Sequence, residues 1–356
     1  MPEMHTNSAL TSGAATETAP ERALRATGTQ NGNTRTLRLA RLRDLALVPA
    51  IIVIMIVGSF VDPIFLTSRN LMNVLEAMSA ISLVVLGQTL VLIAGKMDLS
   101  LESTAGLAPG LAAWLILAPG VTHGQGVELP GYLGVPITLA VGALIGAING
   151  LLIVKFRLNG FIVTLGMLIT LRGLLNGISG GQTFFRLPDS MMFLGGREVI
   201  GTPVSVVVAL ALFAAGIGFL RYHRWGRALY AIGGNVDAAR AGGIRTDRIL
   251  WTALIIASVL AALAGLLLAG RLGSVAATSG EGWIFTVFAA AVIGGVSLDG
   301  GKGTLFGALT GILLLYLVQN VLTLAGVEAT WINFLNGSII LGALVISRIA
   351  SGKAQD

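Results

Sequence analysis

The 356-residue chain has no cysteine, only three histidines and few charged side chains. Without cysteine it has no disulfide, no thiol nucleophile and no zinc site built on thiolates. The histidines, at positions 5, 123 and 223, are scattered and form no metal-binding pattern. The sequence therefore indicates neither a catalytic site nor a metal site, and it leaves the redox compartment open.

The small number of charged residues indicates that most of the chain lies in lipid. Charged residues make up 11% of it and hydrophobic residues 54%, as in membrane proteins. A spanning helix needs about 20 apolar residues, and no segment alternates with the period of a barrel strand. The predicted fold is an all-α polytopic membrane protein with about ten transmembrane helices. The predicted spans are 45–61, 71–94, 101–118, 135–154, 161–179, 203–220, 250–269, 283–295, 304–324 and 331–347.

Residues 1–44 form a polar segment that ends in a run of arginines. It has too little apolar content to bury a core, and we expect a disordered cytoplasmic tail. The basic run comes late and no convincing cleavage site follows, so residues 45–61 are predicted to remain as the first helix. The membrane domain is predicted at residues 45–349, followed by a short cytoplasmic tail at 350–356.

The net charge of +6 indicates an orientation rather than a nucleic-acid partner. With the N-terminus inside and ten spans, most lysines and arginines fall on the inner side, as the positive-inside rule predicts. Both termini are then cytoplasmic. The segments left outside, 119–134, 180–202 and 271–282, are expected to be loops. They are too short for a solute-binding domain, so a separate protein is expected to capture any external solute.

Glycine is abundant, with 48 residues, and much of it lies inside the apolar spans. Glycines occur at a spacing of four at positions 142, 146 and 150, and again at 307 and 311. Small residues at this spacing let two helices approach closely. We expect these faces to pack tightly and to carry no chemistry.

Two predicted spans are interrupted by similar sequences. Residues 93–95 lead into Asp98-Leu99-Ser100, and residues 293–295 lead into Leu298-Asp299-Gly300. We therefore expect some helices to be discontinuous. Paired interruptions in the two halves of a transporter often mark the pathway, although ordinary helix ends explain them equally well.

Few ionisable side chains lie within the spans. Glu76 and Arg172 are the clearest, with Asp98 and Glu102 at a boundary. Charges inside a bilayer are costly and usually face a cavity or a partner, so each is a functional candidate. For Arg172 the alternative is snorkelling or a structural ion pair. A proton- or sodium-coupled carrier would usually hold more acids at mid-membrane, which favours energy supplied from outside the membrane domain.

Residues 300–304, Gly-Gly-Lys-Gly-Thr, partly match a phosphate-binding loop. That pattern needs a glycine five residues before the final Gly-Lys pair and a serine or threonine directly after the lysine. Val296 and Gly303 occupy those positions. Nucleotide hydrolysis, if it occurs, must therefore belong to another chain.

The longest hydrophilic insert, residues 221–248, contains six arginines. Asn235 can cap a short helix, Asp237 lies in its first turn and Gly243 can follow its end. The helix surface is slim because its residues are small: Ala238, Ala239 and Ala241. Such a surface suits a groove on another protein, and the alternative is a solvated amphipathic loop.

Residues 226–249, with YAIGGNVDAARAGGI at their centre, resemble the cytoplasmic coupling loop of the permease subunits of ATP-binding-cassette importers. Asp237-Ala238-Ala239 followed by Gly243 matches that family's acidic-Ala-Ala-three-residues-Gly signature. Three further blocks agree, at 87–103, at 149–174 with 179–182, and at 271–304. The resemblance covers roughly residues 45–349 and is closest to the ribose, xylose and galactose permeases of the second carbohydrate uptake class.

The resemblance implies a multi-subunit importer in a bacterial inner membrane. Two permease subunits, identical or different, would form the path, and two ATPases carrying ATP and magnesium would dock on the coupling loops, so this chain needs no cofactor. An extracytoplasmic binding protein would deliver a monosaccharide. The residues assigned to ATPase coupling are Gly234, Asn235, Asp237, Ala238, Ala239, Arg240 and Gly243. Those assigned to the substrate pathway, whose polar groups suit a polyhydroxylated solute, are Gln88, Asp98, Ser100, Thr164 and Asn176.

The sequence departs from the family pattern beside the expected pathway. Lys96 and Met97 stand where the family has glycine and an apolar residue, Glu102 stands near a usual glycine, and proline is missing near Asn159. The identity of the sugar therefore stays open. Permeases for branched-chain amino acids or for autoinducer-2 are alternatives within the same architecture, and a stand-alone carrier or an intramembrane enzyme is the alternative outside it.

Overall fold

A computed structural model describes residues 47–121 and 127–328, with scattered positions between 330 and 342. The predicted tails, the domain boundaries and most of the last predicted span lie outside the described residues. The helices are α1 (Val48–Val61), α2 (Ser68–Ile93), α3 (Leu101–Ile116), α4 (Gly134–Gly150), α5 (Gly160–Ser179), α6 (Asp189–Gly196), α7 (Val204–Tyr222), α8 (Arg224–Gly234), α9 (Val236–Ala241), α10 (Thr246–Leu272), α11 (Trp283–Ile293) and α12 (Leu305–Leu324). A π-helical turn (Leu151–Lys155) extends α4.

The first nine predicted spans each coincide with a helix. Six helical stretches of the described chain are long and apolar enough to cross a membrane. They are Ser68–Ile93, Gly131–Lys155, Gly160–Ser179, Val204–Tyr222, Thr246–Leu272 and Leu305–Leu324. Two shorter apolar helices, α1 and α11, accompany them. The all-α polytopic fold class is therefore confirmed.

Helices α2 and α10 form the centre of the described bundle, and both are mostly buried. The glycines of α4 explain the contact between α4 and α10. A methyl group on Gly142 would lie 2.6 Å from the Ala262 side chain, and one on Gly146 would lie 2.6 Å from the Ile255 Cα. The predicted close-packing face is confirmed, because only a residue without Cβ allows the two backbones to approach this far.

Gly307 and Gly311 of α12 pack in the same way against α11. Their positions face the backbone of Gly294 and the Ala290 carbonyl. Helix α11 is only 11 residues long, too short to cross a bilayer core of about 30 Å at 1.5 Å per residue. It ends at Ile293, where the sequence predicted an interruption, and the next helix begins at Leu305.

The prediction that residues 180–202 form only a loop is wrong. They contain α6 and two short strands, β1 (Phe184–Phe185) and β2 (Glu198–Val199). Strand β2 forms a hairpin with β3 (Thr202–Pro203), and β1 pairs with β4 (Ser274–Val275). Helix α6 packs on α10 because Gly195 and Gly270 let the two backbones touch. A tertiary contact of this kind leaves no periodic signal in the sequence of so short a helix.

The two interruptions meet in space. Gly95 and Gly295 each follow a helix end and both have positive φ, +72° and +80°, a conformation that glycine adopts without strain. The Gly301 N–H donates to the Ile93 carbonyl at 2.9 Å. Residues 94–100, the first break, and residues 294–304, the second break, therefore lie at the same end of the bundle.

Candidate functional site

The predicted short helix of the hydrophilic insert is present as α9. The Asn235 side-chain oxygen accepts hydrogen bonds from the backbone N–H groups of Asp237 (3.0 Å) and Ala238 (2.9 Å), which is the expected N-cap. Gly243, with φ of +81°, follows its C-terminal end. The local structure predicted for this segment is confirmed, and its role in coupling stays a prediction.

Side chains of α9 divide between a buried and an open face. Ala239 is buried against the bundle, whereas the side chain of Asp237 is 88% exposed. Arg240 lies 3.4 Å from Asp247 and 3.9 Å from Asp237. Because Asp247 belongs to the first turn of α10, its ion pair with Arg240 connects the small helix to a long membrane helix.

A groove of about 610 Å³ lies where α8 and α9 meet the helix breaks. Its wall includes Gly234, Asn235, Lys96, Arg157 and Asp299. The loops that were predicted to lie on the inner side of the membrane are therefore together at one end of the bundle. We call this end, with the first and second breaks and residues 223–246, the basic end.

The chain just before α9 is in direct contact with both breaks. A methyl group on Gly233 would overlap the Ile93 carbonyl, and one on Gly301 would lie 2.9 Å from the Gly234 backbone. The Tyr230 hydroxyl donates to the Gly303 carbonyl at 2.9 Å. The end of α8 therefore packs backbone to backbone against both breaks.

Asp98 and Ser100, two of the predicted pathway residues, form a buried polar cluster in the first break. The Ser100 hydroxyl donates to Asp98 Oδ1 at 2.6 Å, and the Ser100 N–H donates to the same oxygen at 2.9 Å. Asn149 of α4 donates to Asp98 Oδ2 at 3.2 Å and to Ser100 Oγ at 2.8 Å. Burial raises the pKa of the Asp98 carboxyl above its usual value, while the hydrogen bonds from Ser100 and Asn149 oppose that rise.

Asn149 was not among the predicted site residues. Its only signal in the sequence is that it is an amide in an otherwise apolar, glycine-rich helix. The other three predicted pathway residues do not hydrogen-bond to the Asp98 cluster within the described chain. Thr164 donates to the Gly160 carbonyl of its own helix at 2.9 Å, and Asn176 is exposed on α5. Gln88 is fully buried, and its side-chain amide finds no hydrogen-bond partner among the described residues.

A second polar cluster lies at the N-terminal end of the short helix α11. Glu102 Oε2 accepts a hydrogen bond from the Ile284 N–H at 3.1 Å, where a carboxylate is favoured by the helix dipole. Arg172 lies 3.5 Å from Glu102 Oε1. It also donates to the carbonyls of Ala277 (3.1 Å) and Ser279 (2.9 Å). The structural ion pair considered for Arg172 is therefore present, and it ties α3, α5 and the segment before α11 together.

Glu76, the remaining ionisable candidate within a span, is paired too. It lies 3.6 Å from Arg271 near the end of α10. In the part of the chain that the structure describes, no group of three or more histidines and carboxylates is placed to hold a metal ion. The polar groups at hand can form hydrogen bonds and ion pairs between helices.

Comparison with known proteins agrees with this architecture. A family model described as the permease component of the branched-chain amino acid transport system matches residues 70–345. The ribose import permease protein of Escherichia coli K12 is 34% identical over 301 residues, which cover 83% of this chain and 91% of the relative. The autoinducer 2 import system permease protein of Enterobacter sp. strain 638 is 34% identical over 308 residues, covering 86% and 87%. No solved structure matches the chain.

Proposed function

Because this chain belongs to the branched-chain amino acid transport system permease family and is the membrane subunit of a sugar importer of the ATP-binding-cassette type, we propose how it works and what it carries. It takes a monosaccharide from an extracytoplasmic binding protein and passes it through the inner membrane. A separate ATPase supplies the energy by docking on α9. The basic end then faces the cytoplasm, as the positive-inside rule requires, and both termini lie on that side.

The main support for this proposal is the contact that residues 226–249, the coupling segment, make with both helix breaks. Helix α9 presents the exposed Asp237 and a surface of small residues to the outside, while Gly233 touches the first break and Gly234 the second. A partner that pushes on α9 thereby moves the ends of α2 and α11 without an intervening loop. Such direct backbone contact suits the transmission of a conformational change.

The ion pairs within the membrane favour the proposal that the energy for transport comes from a partner protein. Glu76 and Glu102 are each paired with an arginine, so neither is a free carboxylate for proton or sodium coupling. Proton-coupled carriers relay protons through intramembrane Asp, Glu and His side chains. Glu76 and Glu102 hold helices together instead, and the buried Asp98 is hydrogen-bonded to Ser100 and Asn149.

The proposed substrate is a monosaccharide or a related polyol. The two relatives above are named for import of ribose and of autoinducer 2, and Gln88 offers a buried amide with no partner among the described residues. The sugar-like autoinducer is the second candidate, and a branched-chain amino acid, after which the family is named, is the third. Lys96 and Glu102 lie beside the breaks and are two of the positions where this chain departs from the family pattern.

The proposal is tested by charge reversal on the coupling helix. We expect Asp237→Lys to lower uptake at least tenfold, because a cation would replace the exposed acid that faces the ATPase. Uptake of labelled ribose, autoinducer-2 and leucine is measured in cells that also make the ATPase and the binding protein. Membrane insertion, followed by the amount of chain in the membrane fraction, should not change.

The matched control is Glu198→Lys, which reverses an exposed acid at the opposite end of the bundle. It should transport normally. Normal uptake by the Asp237→Lys variant, or uptake by the unmodified chain in cells without any ATP-binding-cassette ATPase, would contradict the proposed coupling. The solute that is accumulated identifies the substrate class.

A second permease subunit is proposed to pack on α5. Four small residues lie on one exposed face of this helix: Gly166, Thr170, Gly173 and Gly177. A methyl group on any of the three glycines would have no atom from another part of the described chain within 4 Å. An open face of small residues at helical spacing is suited to another membrane helix.

The natural absence of cysteine makes this interface easy to test. A Thr170→Cys variant should form a disulfide-linked dimer in oxidised membranes if the partner subunit is identical. Val207→Cys, on an exposed apolar position of α7, is the control and should remain monomeric on a non-reducing gel. Equal cross-linking of both variants would argue against a specific interface at α5.

A further inference from the structure

A cavity of about 510 Å³ lies between the N-terminal ends of α8 and α10. Three arginines line it, Arg224 from α8 and Arg245 and Arg248 from the start of α10, and no carboxylate does. Trp225, Ile244 and Ile249 provide its apolar surface. The cavity therefore combines strong positive charge with a hydrophobic floor.

The three guanidinium groups have no acidic partner in the described chain. The nearest acid in sequence, Asp247, points to Arg240 at 3.4 Å instead, and no carboxylate of the described residues lies within 4 Å of the three arginines. All three residues are exposed. Arginines placed together without counter-charge repel one another, so an anion in the cavity would stabilise this arrangement.

The position of the cavity indicates where the anion comes from. Arg224 is two residues beyond the end of α7, and Arg248 with Ile249 lies in the first turn of α10. Both helices are long enough to cross the membrane, so the cavity lies where their ends leave the hydrocarbon. Phospholipid headgroups occupy this level, and tryptophan is enriched there.

We propose that this cavity binds the headgroup of an anionic phospholipid of the cytoplasmic leaflet. The guanidinium groups bind the phosphate through paired N–H donors, and the glycerol and upper acyl chains lie on Trp225, Ile244 and Ile249. Basic pockets between membrane helices on the cytoplasmic side are suited to such headgroups. Most of its wall, Gly243 included, belongs to the coupling loop at residues 226–249, so bound lipid would hold the junction of α9 and α10 in place. The proposal rests on the orientation given above and not on the identity of the substrate.

The test is lipid retention by the purified full-length chain in detergent, measured by native mass spectrometry. Phosphatidylglycerol should be retained about tenfold better than phosphatidylcholine, and the triple variant Arg224→Gln, Arg245→Gln, Arg248→Gln should lose this preference. A tenfold change corresponds to about 1.4 kcal/mol. The control triple variant, Lys155→Gln, Arg221→Gln, Lys302→Gln, removes the same charge from exposed residues outside the cavity and should keep the preference.

Three results would overturn the proposal. The first is unchanged preference for phosphatidylglycerol in the cavity variant. The second is displacement of the lipid by an equal concentration of inorganic phosphate, which would mean that the acyl chains contribute nothing. The third is unchanged lipid retention with lost capture of the ATPase, which would assign the arginines to the protein partner. The single variant Arg224→Gln, which leaves α10 intact, provides the same comparison if the triple variant does not fold.

Discussion

Replacement of Arg172 by methionine is expected to destabilise the chain more than any other single change in its polar clusters. The variant leaves Glu102, whose side chain is 8% exposed, without its cation, and it leaves the carbonyls of Ala277 and Ser279 without their donor. Removing one partner of a buried ion pair costs about 3–5 kcal/mol. The loss is measured as a fall in the midpoint of thermal unfolding of the detergent-purified protein, with tryptophan fluorescence as the signal.

A second substitution separates the charge from the hydrogen bonds. In Arg172→Met with Glu102→Gln, no unpaired charge remains, and the glutamine oxygen still accepts from the Ile284 N–H. Stability should recover in part, because the two carbonyls remain unsatisfied. The control Arg197→Met removes an exposed arginine and should leave the midpoint unchanged. Equal midpoints for Arg172→Met and Arg197→Met would show that the Glu102 cluster does not stabilise the fold.

Replacement of Gly265 by alanine is expected to reduce the yield of folded protein sharply. A methyl group at this position would overlap the carbonyl oxygen of Ala105, which belongs to the backbone of α3 and cannot move aside as a side chain can. Helices α3 and α10 would have to separate, and overpacking of this kind costs about 1–3 kcal/mol or more. The measurement is the fraction of monodisperse protein on size-exclusion chromatography after detergent extraction.

Gly218→Ala on α7 is the matched control, since it adds the same methyl group to a membrane helix. No atom of another part of the described chain lies within 4 Å of that position. Alanine has the higher helix propensity by about 1 kcal/mol, so the control should fold as well as the unmodified chain or better. If Gly265→Ala gave the same yield as Gly218→Ala, the close approach of α3 and α10 would be wrong.

The candidate site was partly readable from the sequence. The cap at Asn235 and the turn at Gly243 were predicted correctly, because capping and positive φ depend on a few neighbouring residues. The hydrogen-bond partners of the site residues were not predicted. Asn149 joins the Asp98 cluster from a position 51 residues further along the chain. Nothing in the sequence near Asn149 or Asp98 indicates that these two residues are in contact.

The same division holds for the coupling segment. The arginine-rich insert, with its short capped helix, indicated a docking surface. Its contact with both helix breaks came only from the structure, in which Gly233 meets Ile93 and Gly234 meets Gly301. Glycines at these positions are compatible with many arrangements, since a missing side chain permits a close approach but does not choose the neighbour.

The sequence by itself determined the fold class, the approximate positions of most helices and the short helix of the insert. These features follow from local apolar content, the hydrogen bonds of the backbone and the chemistry of caps, all of which act over a few residues. The tertiary structure alone decided which helices are in contact. It also decided that Glu102 pairs with Arg172 and accepts a hydrogen bond from the N-terminal end of α11, and that three arginines from two helices line one cavity. Those outcomes depend on the packing of residues distant in the chain, where shape and charge in three dimensions select one arrangement among many.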